Sequence, residues 1–160
     1  MRLTLGSRSY DLTTRALVLG TGADAAGDGA DLVELAGPDA SVPVCAAVTD
    51  EASLARAIAA GVALVRLPRP AAADLYRRCA AAGLAVVVPD ADTRTALDAG
   101  LPPDRILAGA RFLDVTRRPC PLAATVAGVL GGARLVRTDE VGAARRVRDV
   151  LAAIQEATSP

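Results

Sequence analysis

A recurring unit constrains the fold of this chain more than any other feature of its sequence. Each copy has a helical stretch, a glycine, a short apolar strand and a polar strand end. The copies read AAGVALVRLP at 59–68, AAGLAVVVPD at 81–90 and GGARLVRTD at 131–139. Short apolar strands that alternate with helices are typical of a parallel sheet covered by helices. The sequence therefore predicts an α/β protein with internal repeats of the kind found in (β/α) barrels.

The spacing of the apolar runs predicts a small N-terminal hairpin over residues 3–12, about seven parallel strands and five helices. The strands are expected at 16–20, 32–35, 42–48, 62–67, 84–88, 105–107 and 133–136. Glycine and proline mark the helix boundaries. The helices are expected at 51–60, 70–83, 90–100 with Asp90 or Asp92 as the cap, 121–130, and from 141 onward. The first two connections between strands are expected to be loops.

The length of the chain limits how complete such a barrel can be. A full eight-fold barrel takes about 250 residues, whereas this chain has 160. We expect a shortened or incomplete TIM-type (β/α) barrel, with residues 1–157 as one domain and 158–160 as a disordered tail. Parallel strands are apolar on both faces, so an incompletely covered sheet is unstable in water. This predicts a homodimer, or a partner protein that covers the incomplete barrel.

Missing residue types exclude several kinds of chemistry. The chain has no His and no Lys, and all 18 of its basic residues are Arg. A Ser-His-Asp triad, a His metal site, a Schiff-base lysine and a Walker P-loop are therefore excluded. The 18 acidic residues balance the arginines. No net field therefore draws the protein to nucleic acid or to an acidic membrane.

Other features predict a cytoplasmic protein. No apolar run reaches the roughly 18 residues of a membrane span, and no signal peptide is recognised at the start. Cys45, Cys79 and Cys120 are far apart, and each lies in or beside an apolar stretch. This is typical of reduced thiols. The use of Arg in place of Lys, together with abundant Ala, suggests an actinobacterial, GC-rich genome.

Polar residues at the strand ends are the candidates for ligand binding. Active sites of (β/α) barrels form where the strands reach their carboxyl ends. Carboxylates and arginines gathered there would suit a polar heterocycle or a phosphate, although Asp at such positions also commonly caps a helix. The candidate ligand-binding residues are Asp24, Glu34, Thr49, Arg66, Arg111, Arg137 and Asp139. No metal site is predicted.

Four stretches resemble the dihydropteroate synthases and related pterin-binding barrels. GARLVRTD at 132–139 is similar to the family's GAR-[IL]-VR-x-H-D-V run, which ends its last strand. GLPPDRIL at 100–107, GADLVEL at 29–35 and VTDEASLARAIAAG at 48–61 resemble segments around its sixth, second and third strands. The segments occur in the family's order. The resemblance implies a barrel of the dihydropteroate-synthase type.

Carried over position by position, most of the family's functional residues are replaced. The resemblance implies that Arg137 is retained and that Asp139 stands where the family has His. It also implies that Asp24 is the counterpart of an Asp in the family's first loop. Glu34 then takes the place of a strand-end Asp. The other replacements are Gly20 for an Asn near the metal and diphosphate, Val48-Thr49 for the Asp-Thr whose Asp binds pterin, and Arg66-Leu67 for Asn-Asp.

These replacements favour a homologue that no longer makes dihydropteroate, a pseudoenzyme that binds a partner protein or a small anionic or pterin-like ligand. The alternative is an active dihydropteroate-synthase-type transferase of folate biosynthesis with a remodelled site. Only this alternative implies Mg²⁺, and no other cofactor is implied. A third interpretation is a different small β/α protein that shares only composition. Arg145, Arg146 and Arg148 are interpreted as a solvated helix face.

Overall fold

The protein is described from a computed structural model, which defines residues 1–34, 41–67 and 69–158. The chain divides into two compact units. The first contains Met1–Tyr10 and Pro43–Ala110, and the second contains Asp11–Val42 and Arg111–Pro160. Among the described residues, no helix is long and apolar enough to cross a membrane.

Strands and helices alternate along most of the chain. The strands are β1 (Arg2–Leu5), β2 (Arg8–Asp11), β3 (Leu17–Gly20), β4 (Leu32–Glu34), β5 (Val44–Ala47), β6 (Leu64–Arg66), β7 (Ala85–Val88), β8 (Ile106–Ala108), β9 (Phe112–Asp114) and β10 (Leu135–Thr138). The helices are α1 (Glu51–Ala59), α2 (Ala73–Ala81), α3 (Thr93–Asp98), α4 (Pro121–Leu130) and α5 (Val141–Thr158). Short 3-10 turns cover Asp90–Asp92, Pro103–Arg105 and Gly109–Arg111.

The first unit contains the predicted hairpin, β1 with β2, and four parallel strands in the order β5, β6, β7, β8. Val65 of β6 lies opposite Ala46 on one side and Val86 on the other. Val65, Val86, Leu54 of α1 and Tyr76 of α2 are all buried in one apolar core. Helices therefore cover a parallel sheet, as the alternating pattern predicts.

Glycines end three helices of this unit. Gly61, Gly83 and Gly100 follow α1, α2 and α3 by two residues, with φ angles of 68°, 67° and 93°. This left-handed conformation costs a glycine little because it has no Cβ atom. The three predicted helix stops are confirmed.

The start of α2 differs from the prediction. The helix begins at Ala73 rather than Pro70, because the backbone of its N-cap residue Ala72 is extended, with φ −65° and ψ 147°. The Ala71 N–H, just before the helix, donates to Asp92 Oδ2 at 2.9 Å. The buried Tyr76 hydroxyl donates to the same oxygen at 2.7 Å. Asp92 therefore makes no side-chain cap on α3. The predicted cap is wrong for Asp90 as well, because its carboxylate accepts from the Ala110 N–H.

The second unit contains four parallel strands in the order β4, β3, β10, β9. Leu19 of β3 and Asp114 of β9 lie on either side of Arg137 in β10. Val136 packs in a buried cluster with Ala16, Val115 and Val129. This arrangement brings three strand ends next to Arg137, where the candidate site is expected.

Strand β9 was not predicted from the sequence. About seven parallel strands were expected, whereas the described residues form eight. Phe112–Asp114 is three residues long and each residue is half-buried, so it lacks the continuous apolar run by which the other strands are recognised. The closing strand also runs later than expected, over Leu135–Thr138 rather than 133–136.

Other expectations can be compared only in part. Residues 21–31, between β3 and β4, form turns and no helix, which confirms that the first connection is a loop. Residues 35–40, which include the end of the second predicted strand and the turn after it, lie outside the described residues. The helix α5 continues through Thr158, and the single domain over 1–157 stays a prediction.

Candidate ligand-binding site

Arg137 lies at the centre of a polar cluster at the strand ends of the second unit. Its Nε donates to Glu34 Oε2 at 2.9 Å, and its Nη2 donates to the same oxygen. Its Nη1 donates to Asp114 Oδ2 at 3.0 Å and to Thr116 Oγ1 at 3.1 Å. We call Arg137, Glu34, Asp114 and Thr116 the Arg137 cluster. Each of the three guanidinium nitrogens is therefore already engaged by a neighbour within the protein.

The local sequence positions each member of the Arg137 cluster. Arg137 and Asp114 lie opposite each other in the pairing of β10 with β9. Asp114 Oδ1 accepts hydrogen bonds from the backbone N–H of Thr116 at 3.1 Å and from its hydroxyl at 2.8 Å. This is a local turn that Asp favours through its short side chain. The turn holds the Thr116 hydroxyl where it accepts a bond from Arg137.

The charges in the Arg137 cluster stabilise one another. Hydrogen bonding to Glu34 raises the pKa of Arg137, and the charges of Glu34 and Asp114 add to this effect despite burial. Burial alone raises the pKa of Asp114. The bonds from Thr116 and the charge of Arg137 outweigh burial, so this pKa lies below its usual value. With two carboxylates around one guanidinium, the cluster carries a net charge of −1 and disfavours a further anion.

The end of β3 is closed by apolar side chains. A Cβ atom at Gly20 would lie 2.4 Å from the Ala25 Cβ and 2.8 Å from the Val141 Cγ2. Ala25, Val141 and the neighbouring Ala30 are all buried. The resemblance aligns Gly20 with an Asn near the metal of the family. A side chain of that size has no room at Gly20.

The structure brings together only some of the predicted residues of this unit. Glu34 and Arg137 are bonded to each other. Asp24 and Asp139 are exposed, and their carboxylates have no hydrogen bond or ion pair with any residue that the structure describes. Thr138 Oγ1 accepts the N–H of Glu140 at the start of α5. The ligand-binding roles of Asp24, Glu34, Arg137 and Asp139 stay predictions.

Arg111 lies between two strands, three residues after the end of β8 and directly before β9. Its Nη1 donates at 2.9 Å to the carbonyl of Gly132, which precedes β10. Since β9 and β10 are parallel, Arg111 and Arg137 lie at opposite ends of this strand pair. Arg111 is therefore not part of the Arg137 cluster, and its ligand-binding role stays a prediction.

Thr49 and Arg66, the other two predicted residues, belong to the first unit. Arg66 is the half-buried last residue of β6. Thr49 is exposed and follows β5, where it lines a cavity with residues of the next connection. Asp50, the next residue, caps α1 by accepting the N–H of Ser53.

The ligand-binding residues predicted from the sequence did not include Asp114 or Thr116, and the burial of Arg148 was not expected. The Asp-x-Thr pattern at 114–116 is the signal that would have identified the turn. Arg148 is only 2% exposed, and its guanidinium binds Asp31 and Asp149. The interpretation of this face of α5 as solvated is therefore wrong for Arg148, whereas Arg146 is exposed.

The side chains at the Arg137 cluster do not fit a divalent cation. Within the described part of the chain, no three His, Cys, Asp or Glu side chains gather as a metal site. Both carboxylates nearest Arg137 are already bonded to it. Mg²⁺ prefers several oxygen ligands that carry no competing partner.

Parallel strands followed by helices, with polar side chains at their carboxyl ends, define an α/β protein of the TIM type. Comparison with solved structures identifies a more specific fold within this class. The chain is similar to dihydropteroate synthase from Thermus thermophilus (TM-score 0.80, 18% identity, 97% of this chain and 99% of that one). It is also similar to the same enzyme from Yersinia pestis (0.77, 15%, 98% and 99%) and from Burkholderia cenocepacia complexed with 7,8-dihydropteroate (0.76, 17%, 98% and 97%).

The chain has the dihydropteroate-synthase fold. The predicted fold class and the resemblance seen in the sequence are therefore confirmed at the level of the fold. No protein-family model matches the sequence, and no curated protein matches it. Identities below 25% establish the fold alone, and the same fold hosts different functions in different proteins.

Proposed function

We propose that this protein is a non-catalytic relative of dihydropteroate synthase that binds a small ligand or a partner protein. The observation that carries the proposal is the state of Arg137. The resemblance gives this residue an active-site role in the enzymes, yet here its guanidinium is bonded to Glu34, Asp114 and Thr116. A diphosphate would have to compete with two carboxylates for one cation.

Two further features support the proposal. The space next to Gly20 is taken by Ala25, Ala30 and Val141, so the end of β3 has no room for a large polar side chain. The chain also has no Lys and no His. Release of pyrophosphate needs cationic or hydrogen-bonding groups aimed at the developing charge. Arginine is the one basic side chain available for this purpose.

The proposal is tested by calorimetric titration with a dihydropterin diphosphate and Mg²⁺, followed by addition of p-aminobenzoate. We expect neither heat of binding nor release of pyrophosphate. Dihydropteroate synthase from Thermus thermophilus, assayed in parallel, serves as the positive control. Saturable binding with pyrophosphate release would contradict the proposal and support the remodelled transferase instead.

The homodimer or partner protein that the short chain predicts belongs to the same proposal. Sedimentation of the purified chain at several concentrations tests the homodimer. A concentration-independent monomer would direct the search to a different protein as the partner.

A further inference from the structure

A cavity of about 600 Å³ opens in the first unit beside the ends of β5 and β6. Val48, Leu67 and Leu75 form its apolar part and are at most 8% exposed. Its polar lining includes Thr49 and Arg69. Small-molecule sites usually occupy roughly 300–1,000 Å³ and combine an apolar wall with a few polar groups. This cavity has the size and composition of such a site.

The acidic residues that line this cavity already have partners. Asp50 accepts the N–H of Ser53 at 2.7 Å. Glu51 pairs with Arg78 at 3.3 Å, and Asp74 pairs with Arg77. The two ion pairs are exposed and weak, but each reduces the negative charge that Glu51 or Asp74 presents to the cavity. Asp50 keeps its charge, and its carboxylate is bonded to the first turn of α1.

Arg69, which also lines the cavity, differs from these acidic residues because it has no ion pair or side-chain hydrogen bond with any residue in the described ranges. The amino-terminal end of α2 borders the same space. Ala72, its N-cap residue, supplies no side-chain hydrogen bond to the first turn. Among the residues that line the cavity, Arg69 is therefore the one cation in the described ranges that is available to pair with a ligand, and the end of the helix adds a partial positive charge.

We propose that this cavity binds a small molecule with a compact apolar body and one carboxylate. The apolar part would contact Val48, Leu67 and Leu75, and the carboxylate would pair with the Arg69 guanidinium, whose planar donors match the two oxygens. The inference rests on the proposed ligand-binding role and gives that role a site and a ligand class.

Three probes of similar shape test the assignment: cyclohexanecarboxylate, cyclohexanecarboxamide and cyclohexylmethylammonium. Each is titrated into the ¹⁵N-labelled full chain, and amide chemical shifts are followed. We expect shifts at Thr49, Ala71 and Ala72, with the carboxylate binding at least tenfold more tightly than the other two probes. Equal affinity for the three probes, shifts outside the cavity, or no saturable binding would overturn the assignment.

Arg69→Gln is the deciding variant, because Arg69 is exposed and the substitution retains hydrogen-bonding capacity. It should reduce carboxylate affinity about tenfold, which corresponds to about 1.4 kcal/mol, and leave the amide probe unaffected. Arg94→Gln is the matched control, since Arg94 is also exposed and neither it nor its partner Asp98 lines the cavity. Unchanged carboxylate affinity in Arg69→Gln would overturn the role of Arg69.

The two proposals fail in different assays. Pyrophosphate release from the pterin substrates would contradict the proposed function, whatever the carboxylate probe does. Loss of the carboxylate preference would overturn the cavity assignment. It would not affect the proposed function, which predicts the absence of turnover.

Discussion

The strand ends of the two units differ in how their polar groups are used. In the second unit, Arg137 is bonded to two carboxylates and a hydroxyl, and Gly20 is covered by methyl groups. In the first unit, Val48 and Leu67 follow β5 and β6 beside a cavity of about 600 Å³, where Arg69 has no partner among the described residues. The same kind of strand end is therefore closed in one unit and open in the other. Proteins that share a fold can therefore differ in which strand ends are available to a ligand.

The largest effect on stability should come from introducing a side chain at the closed end of β3. Gly20→Asn would place its Cβ 2.4 Å from the Ala25 Cβ and 2.8 Å from the Val141 Cγ2. We expect the free energy of unfolding to fall by about 3 kcal/mol, measured by chemical denaturation. Gly22→Asn is the control, because no atom lies within 4 Å of a Cβ at that position. Equal stability of the two variants would show that the end of β3 is not closed.

Removing the cation from the Arg137 cluster should have the next largest effect. Arg137→Met removes the cation that is bonded to Glu34, whose side chain is 10% exposed. Because a largely buried carboxylate then loses its arginine, we expect a loss of about 2–3 kcal/mol in unfolding free energy. Arg94→Met removes an exposed pair with Asp98 and should change stability by less than about 0.5 kcal/mol. Similar losses in both variants would contradict the internal role given to Arg137.

Neutralising the acids of the Arg137 cluster should make the closed strand end resemble the open one. The double variant Glu34→Gln and Asp114→Asn keeps the side-chain shapes and leaves the Arg137 charge unpaired. We expect pyrophosphate to bind at least tenfold more tightly than to the unaltered protein, a gain of about 1.4 kcal/mol. Calorimetry measures the difference. Equal affinity in the two proteins would mean that the carboxylates do not control access of an anion to Arg137.

The smallest effect concerns acid stability. The pKa of Asp114 is lower in the folded protein than its usual value, so its carboxylate stabilises the fold at a pH above the unfolded pKa. This contribution is lost as the pH falls through the folded pKa, below about pH 4. Asp114→Asn should flatten the fall in stability in that range by less than about 1 kcal/mol, because Asp114 is 39% exposed and its charge is screened. An unchanged pH profile would contradict this contribution.

Local patterns in the sequence predicted much of the fold. Gly61, Gly83 and Gly100 mark helix ends because the left-handed conformation after a helix favours a residue without Cβ. Runs such as Ala85–Val88 are recognisable because strands buried on both faces are continuously apolar. Phe112–Asp114 lacks that signal because each residue is half-buried, and it becomes a strand through pairing with β10.

The candidate site depended on contacts that local patterns do not contain. Arg137 was identified from a resemblance, but its partner Glu34 lies 103 positions earlier in the chain and Asp114 lies on the strand that was missed. Arg148 looked like a surface residue because its partner Asp31 is 117 positions away. Whether an arginine is available to a ligand depends on such distant partners, and only the three-dimensional arrangement identifies them.

The buried pairing of Arg148 with Asp31 has a consequence for how the second unit opens. Asp31 Oδ2 also accepts the backbone N–H of Val18 at 2.9 Å, so one carboxylate joins α5 to β3. Any fluctuation that lifts α5 away leaves this carboxylate without its arginine and weakens the bond at Val18. The Val18 amide and the central amides of α5 should therefore exchange with deuterated solvent through a common opening event, as one cooperative unit.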